Sequence, residues 1–108
     1  MPSVIRGNDN FDTGDIDAGL GSGQTWYNLT SSRTAGTVYQ NTTGKAIQVC
    51  MWGNFNGYLE ASSDNSTYIL VSRTYSGHTP LMSAIIPENY YYKVTGTSGT
   101  LWYWSELR

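Results

Sequence analysis

From Trp26 to Leu107 apolar residues come in short alternating bursts rather than at every third or fourth position. Ile47, Val49 and Met51 are interleaved with Gln48, Cys50 and Trp52, and Tyr90, Tyr92 and Val94 with Tyr91, Lys93 and Thr95. Successive side chains of an extended strand point to opposite faces, so this period of two predicts strands with two unlike faces. Segments rich in Val, Ile, Thr and Tyr place the strands near 24–30, 36–41, 46–53, 57–61, 67–73, 81–86, 90–95 and 100–107. Local turn formers separate them at Thr43-Gly44, Asn56-Gly57, Ser63-Asp64-Asn65, Ser76-Gly77 and Ser98-Gly99. Pro80 and Pro87 bracket the stretch from Leu81 to Ile86, because proline cannot donate to a sheet ladder. No apolar stripe of helical period persists. The expected architecture is all-β: a single antiparallel β-sandwich or small barrel over residues 24–108. Residues 1–23, polar and punctuated by Gly7, Gly14, Gly19, Gly21 and Gly23, are expected to form an extended arm.

Composition narrows the partners. Charged residues are only 13% of the 108-residue chain while hydrophobic residues are 39%, and the difference is made up by Ser, Thr, Asn and Gly. Fifteen aromatics (4 Trp, 9 Tyr, 2 Phe) with a net charge of −2 argue against disorder, which needs high charge and few aromatics. The basic residues Arg6, Arg33, Lys45, Arg73, Lys93 and Arg108 stand singly, so there is no stripe to neutralise a run of phosphates, and nucleic acid is not an expected partner. No apolar run reaches the roughly 18 residues of a membrane helix, and Met1-Pro2-Ser3-Val4-Ile5-Arg6 does not read as a secretion leader. Cys50 is the single cysteine, which precludes an internal disulfide and fits synthesis in a reducing cytoplasm.

Three stretches resemble the C-terminal domains of tail fibre proteins from tailed bacteriophages and prophages. One runs from Gly23-Gln24-Thr25-Trp26 through Ser32-Arg33 to Gly36-Thr37-Val38-Tyr39. The most specific is Tyr39-Gln40-Asn41-Thr42-Thr43-Gly44-Lys45-Ala46-Ile47-Gln48-Val49, similar to that family's strand-turn-strand unit, with Ala46 where the family pattern has Pro. The last runs from Tyr92-Lys93-Val94-Thr95 through Ser98-Gly99-Thr100 to Trp104-Ser105-Glu106-Leu107-Arg108. The resemblance covers roughly half the chain and is weakest from Cys50 to Tyr90. It implies a non-catalytic β-rich module at the distal end of a fibre, commonly trimeric, that meets the host and other tail proteins in the virion. It carries over no individual site residue.

Catalytic constellations are thin. A Cys–His pair would need Cys50 and His78, the only residues of their kinds, and a serine triad would need the same histidine without a Gly-x-Ser-x-Gly elbow. Glycoside hydrolysis needs two carboxyl groups roughly 5 to 9.5 Å apart. Past the arm only Glu60, Asp64, Glu88 and Glu106 are available, with nothing to pair any two. No enzyme and no cofactor is therefore expected. The arm from Asp9 to Asp17 offers oxygen ligands of the type calcium takes, but its order does not match an EF-hand loop, and it reads as a solvated arm whose Asp and Gly residues make turns; no metal site is assigned.

The aromatics carry the sharper hypothesis. Apolar faces of sugar rings stack on flat side chains, and their hydroxyls meet amides and hydroxyls, both abundant here. Alternation puts Leu101, Tyr103, Ser105 and Leu107 on one face and Trp102, Trp104, Glu106 and Arg108 on the other, so one set lies outside the core. Trp52 should face away from Met51, and Tyr91 away from Tyr90 and Tyr92. Trp52, Phe55 and Tyr58 surround an expected loop tip at Asn54–Gly57. Trp52, Phe55, Tyr58, Tyr91, Trp102 and Trp104 are the candidate ligand-binding residues for a bacterial cell-surface polysaccharide, read on a homotrimer. The competing explanation for each is burial in the core or between subunits. Alternative readings are a structural knob that caps the trimer, a polysaccharide depolymerase, and a stand-alone carbohydrate-binding module.

Overall fold

The computed structural model describes residues 19–75 and 81–108, and only the backbone of Thr97. Among the described residues six strands form one antiparallel sheet: β1 Trp26–Asn28, β2 Tyr39–Gln40, β3 Ile47–Ser62, β4 Ile69–Thr74, β5 Leu81–Ile86 and β6 Tyr91–Leu107. A 3-10 turn, Thr30–Ser32, lies between β1 and β2. The sheet curls into a half-barrel, so the all-β expectation holds in the form of a single curled layer. The expected arm at 1–23 falls mostly outside the described residues, as do His78, Pro80, the Ser76-Gly77 turn and the Asp9–Asp17 cluster.

Two long strands make the frame. β3 (16 residues) and β6 (17 residues) pair from Gln48↔Leu107 to Ser62↔Tyr91. Each outer edge is lined by two short strands in succession. β5 and then β4 cover the two halves of β3, and β1 and β2 the two halves of β6.

This frame corrects two expected turns. Asn56-Gly57 and Ser98-Gly99 end neither strand: Asn56 pairs with Ser98 and Phe55 with Gly99, and the ladder only shifts register between Asn56 and Tyr58. The reason is mutual. A Cβ at Gly99 would fall on the Asn54 carbonyl oxygen and 3.0 Å from Phe55 Cα, so the glycine permits a close backbone approach, at φ +102. The Asn56 amide also donates to Ser98 Oγ at 2.8 Å. Turn-forming residues thus lie side by side inside a continuous ladder, with Gly99 taking a positive φ there.

Other turns form where the chemistry calls for them. The Asp64 carboxylate accepts the Ser66 and Thr67 amides, both at 2.9 Å, and closes the β3–β4 hairpin with Asn65 at φ 59. Those hydrogen bonds hold the Asp64 pKa below the ordinary aspartate range. In the Asn41–Gly44 unit the buried Asn41 side chain donates to the carbonyls of Lys45, Ile86 and Pro87 and accepts from Thr43, tying this turn to the end of β5.

The core lies on the concave face. In β3 every odd-numbered position from Ile47 to Ala61 is buried, so one phase of alternation runs the whole strand. Ile47, Val49, Met51, Phe55 and Leu59 meet Met82 and Ile86 from β5 and Tyr92, Val94 and Trp104 from β6. Fully burying such side chains contributes about 1.5–3 kcal/mol each. Phe55, read from sequence as a loop-tip contact residue, is 1% exposed because its strand continues through the expected turn. Trp104, also a candidate contact residue, is 1% exposed opposite Met51.

A buried carboxylate anchors this aromatic core. Glu106 is fully buried and accepts from Tyr92 Oη (2.9 Å), Trp104 Nε1 (3.0 Å), Arg33 Nε (3.1 Å) and Arg33 Nη2 (3.3 Å). Arg108 Nε lies 2.9 Å from Oε1, the oxygen that Arg33 Nη2 also reaches, an ion pair by distance whose N–H is not aimed as a hydrogen bond. Burial lowers the Arg33 pKa, but the hydrogen bonds and charge of Glu106 outweigh it and hold the guanidinium above the ordinary arginine range. Arg33 also covers the Tyr39 ring, 4.6 Å from its centroid, and Tyr39 packs edge-on to Trp104. The segment between β1 and β2 is thereby pinned to the middle of the sheet.

Candidate functional site

On the convex face, even-numbered positions of β3 look outward, and Trp52 is 43% exposed. Its neighbours across the ladder are Leu81 on β5 and Tyr103 on β6. A β-bulge follows at once: Trp52 pairs with Tyr103 but Gly53 pairs with Leu101, which leaves Trp102 as an extra residue. The bulge turns both Trp102 and Tyr103 outward and returns Leu101 to the core side, where it packs against the buried cluster.

The expected alternation therefore holds for Tyr103, Ser105 and Leu107 against Trp104 and Glu106, and fails at 101 and 102. Trp102 parts from Trp104 and joins Tyr103, which sequence reasoning had set on the opposite face. A run of adjacent aromatics beside a glycine on the partner strand is the one available hint of such a bulge.

Gly53 makes the bulge possible. A Cβ at this position would fall on the Thr100 carbonyl oxygen and within 2.8 Å of Leu101 Cα and Trp102 N, all backbone atoms that cannot rotate away.

The result is an exposed aromatic triad. Trp52 and Tyr103 stack, with centroids 5.6 Å apart and planes at 11°, and Trp102 meets Trp52 edge-on at 5.0 Å and 70°. Polar residues border it on both sides. One row is Ser83, Cys50, Ser105 and Asn28, in register across β5, β3, β6 and β1. Within it Cys50 Sγ and Ser83 Oγ are 3.3 Å apart, and Gln48 donates to the same Ser83 hydroxyl. On the other side Asn54 faces Thr100 and Asn56 faces Ser98. Flat apolar rings flanked by hydroxyls and amides can stack an apolar ring face and pair its polar substituents.

The remaining candidates lie away from the triad. Tyr58 is half-buried beneath Arg73, whose guanidinium sits 4.9 Å from its ring centroid and 4.4 Å from that of Tyr75. Tyr91 pairs with Ser62 at the hairpin end of the sheet. Ten positions of β3 separate Ser62 from Trp52, about 33 Å of strand, so Tyr91 serves no common site with the triad. It does face away from the buried Tyr92, as alternation required.

The described carboxylates sit elsewhere: Glu60 accepts from Thr95, Asp64 closes its turn, Glu88 is exposed between β5 and β6, and Glu106 is locked in the core. Among the described residues no helix is long and apolar enough to cross a membrane. Compared with protein-family models, with curated proteins and with solved structures, the chain matches none of them.

Proposed function

We propose that this chain is a distal domain of a bacteriophage tail fibre that recognises the host surface without catalysis, binding cell-surface polysaccharide through Trp52, Trp102 and Tyr103. The single observation that carries the reading is the bulge-built triad. Three large aromatics stand in contact with each other and with solvent, bordered by Ser, Asn and Thr, where burial would serve stability better. The fibre context rests on the sequence resemblance. A second observation bears on assembly: Ile69, Leu70 and Val71 on β4 are 65%, 49% and 43% exposed, and an apolar edge strand is a surface that a neighbouring chain covers. It supports a homotrimer assembled in the virion, and equally the alternative of a structural knob whose exposed aromatics lie between subunits.

The test combines light-scattering mass with adsorption to host cells for the wild type, Trp52→Ala and Trp102→Ala. Each replacement removes an exposed ring, so folding and mass are expected to persist while adsorption weakens by about 30-fold, the loss expected for an aromatic contact worth about 2 kcal/mol. Unchanged adsorption by both variants refutes the triad as the binding surface. A loss of trimer mass in either variant instead favours the knob.

A further inference from the structure

The triad is one end of a longer surface whose other end is also aromatic. Trp26 on β1 stands opposite Leu107, which stands opposite Gln48, so Trp26 shares the convex face with Trp52 and is 51% exposed. Trp26 and Trp52 are separated by four positions along the strand direction, about 13 Å, and by two strand spacings, about 10 Å, across it. Between them runs the row Ser83, Cys50, Ser105 and Asn28, without a charged side chain.

The described cations are committed elsewhere. Arg33 and Arg108 hold Glu106, Arg73 covers Tyr58 and Tyr75, Lys93 covers the Tyr68 ring, and Lys45 donates to the Ser22 carbonyl. A uronate or phosphate laid on this face would give up water without gaining, from any described residue, the guanidinium or ammonium that usually replaces it.

We infer that the two aromatic ends grip one uncharged polysaccharide along its length, with Trp26 as the second anchor. The inference rests on the polysaccharide reading above. A single sugar ring engages one anchor; a run of rings crosses the polar row and engages both, so the second contact forms within the same complex at high effective concentration. The site is thus built for the interior of a linear chain rather than for a terminal sugar.

The experiment uses the purified full chain and immobilised polymers in two groups, neutral (dextran, mannan, galactan and a neutral lipopolysaccharide O-chain) and acidic (alginate and hyaluronan). Length-graded soluble fragments of the binding polymer are then titrated calorimetrically. Binding is expected in the neutral group, with affinity that rises with fragment length and then levels off. Trp26→Ala should remove that gain, weakening long fragments about 10-fold or more and leaving the shortest unchanged, while Trp52→Ala weakens all lengths. Equal affinity for short and long fragments, indifference to Trp26→Ala, or binding confined to acidic polymers overturns this inference and leaves the polysaccharide reading standing. Binding to no polymer of either group overturns both.

Discussion

Gly53→Ala tests the link between one backbone contact and the whole outer site. The added methyl would lie 2.4 Å from Thr100 O and 2.8 Å from Leu101 Cα and Trp102 N, so reaching the 3.4 Å of an ordinary contact moves backbone by about 1.0 Å. A shift of that size takes a typical ladder hydrogen bond of about 2.9 Å beyond useful geometry. One such bond contributes about 1 kcal/mol and the overpacking costs about 1–3 kcal/mol, so the variant should lose about 2–4 kcal/mol. Its melting temperature should fall by roughly 4–8 °C for each kcal/mol. The strain falls at the bulge, so the Trp52–Trp102 contact should be disrupted with it. Near-ultraviolet circular dichroism, sensitive to coupled indoles, reads that contact directly. Gly44→Ala is the control: it meets a positive φ of +86 but no atom within 4 Å, and should cost about 1 kcal/mol without changing the aromatic spectrum. A Gly53→Ala protein with wild-type melting and a wild-type aromatic spectrum would refute the claim that close approach at this residue builds the triad.

Glu106→Gln keeps the shape of the buried side chain but sets an amide N–H₂ among donors. With Arg33 and Arg108 only partly exposed, at 15% and 27%, the loss should be about 2–4 kcal/mol by chemical denaturation. A neutral result would mean that the arginines simply re-solvate. Burial, and then the charge of Glu106, push the Tyr92 hydroxyl up to about 12 from its ordinary value near 10. Between those values the unfolded chain has lost a proton that the native state retains, so stability present below pH 10 should decline as pH rises toward 12. The decline is on the order of 2–3 kcal/mol, and Tyr92→Phe should flatten it in denaturation curves taken across that range.

Much of the fold is legible in the sequence because burial here follows a strict period of two. The alternation from Ile47 to Met51 continues unbroken to Ala61, and the same logic sends Trp52 away from Met51 and Tyr91 away from Tyr92. Less legible was where strands end. Asn56-Gly57 and Ser98-Gly99 have the composition of turns, and only the pairing of their two strands keeps them within the ladder. That pairing joins residues more than forty positions apart, beyond the reach of any local signal. Phe55 moved from an expected loop tip to the core for the same reason.

What the sequence determined by itself is the β class, the inward phase of the long central strand, the Asn41–Gly44 and Asp64 turns, and a stock of aromatics larger than one small core can absorb. Only the tertiary structure decided which aromatics remained outside. Alternation puts Trp102 and Trp104 on one face, and a single inserted residue opposite Gly53 sends Trp102 out to Trp52 and leaves Trp104 against Glu106. Periodicity is a property of one strand, whereas a bulge belongs to two strands in register. The physical cause, a backbone approach that only glycine permits, arises between Gly53 and Thr100–Trp102 once the strands have met.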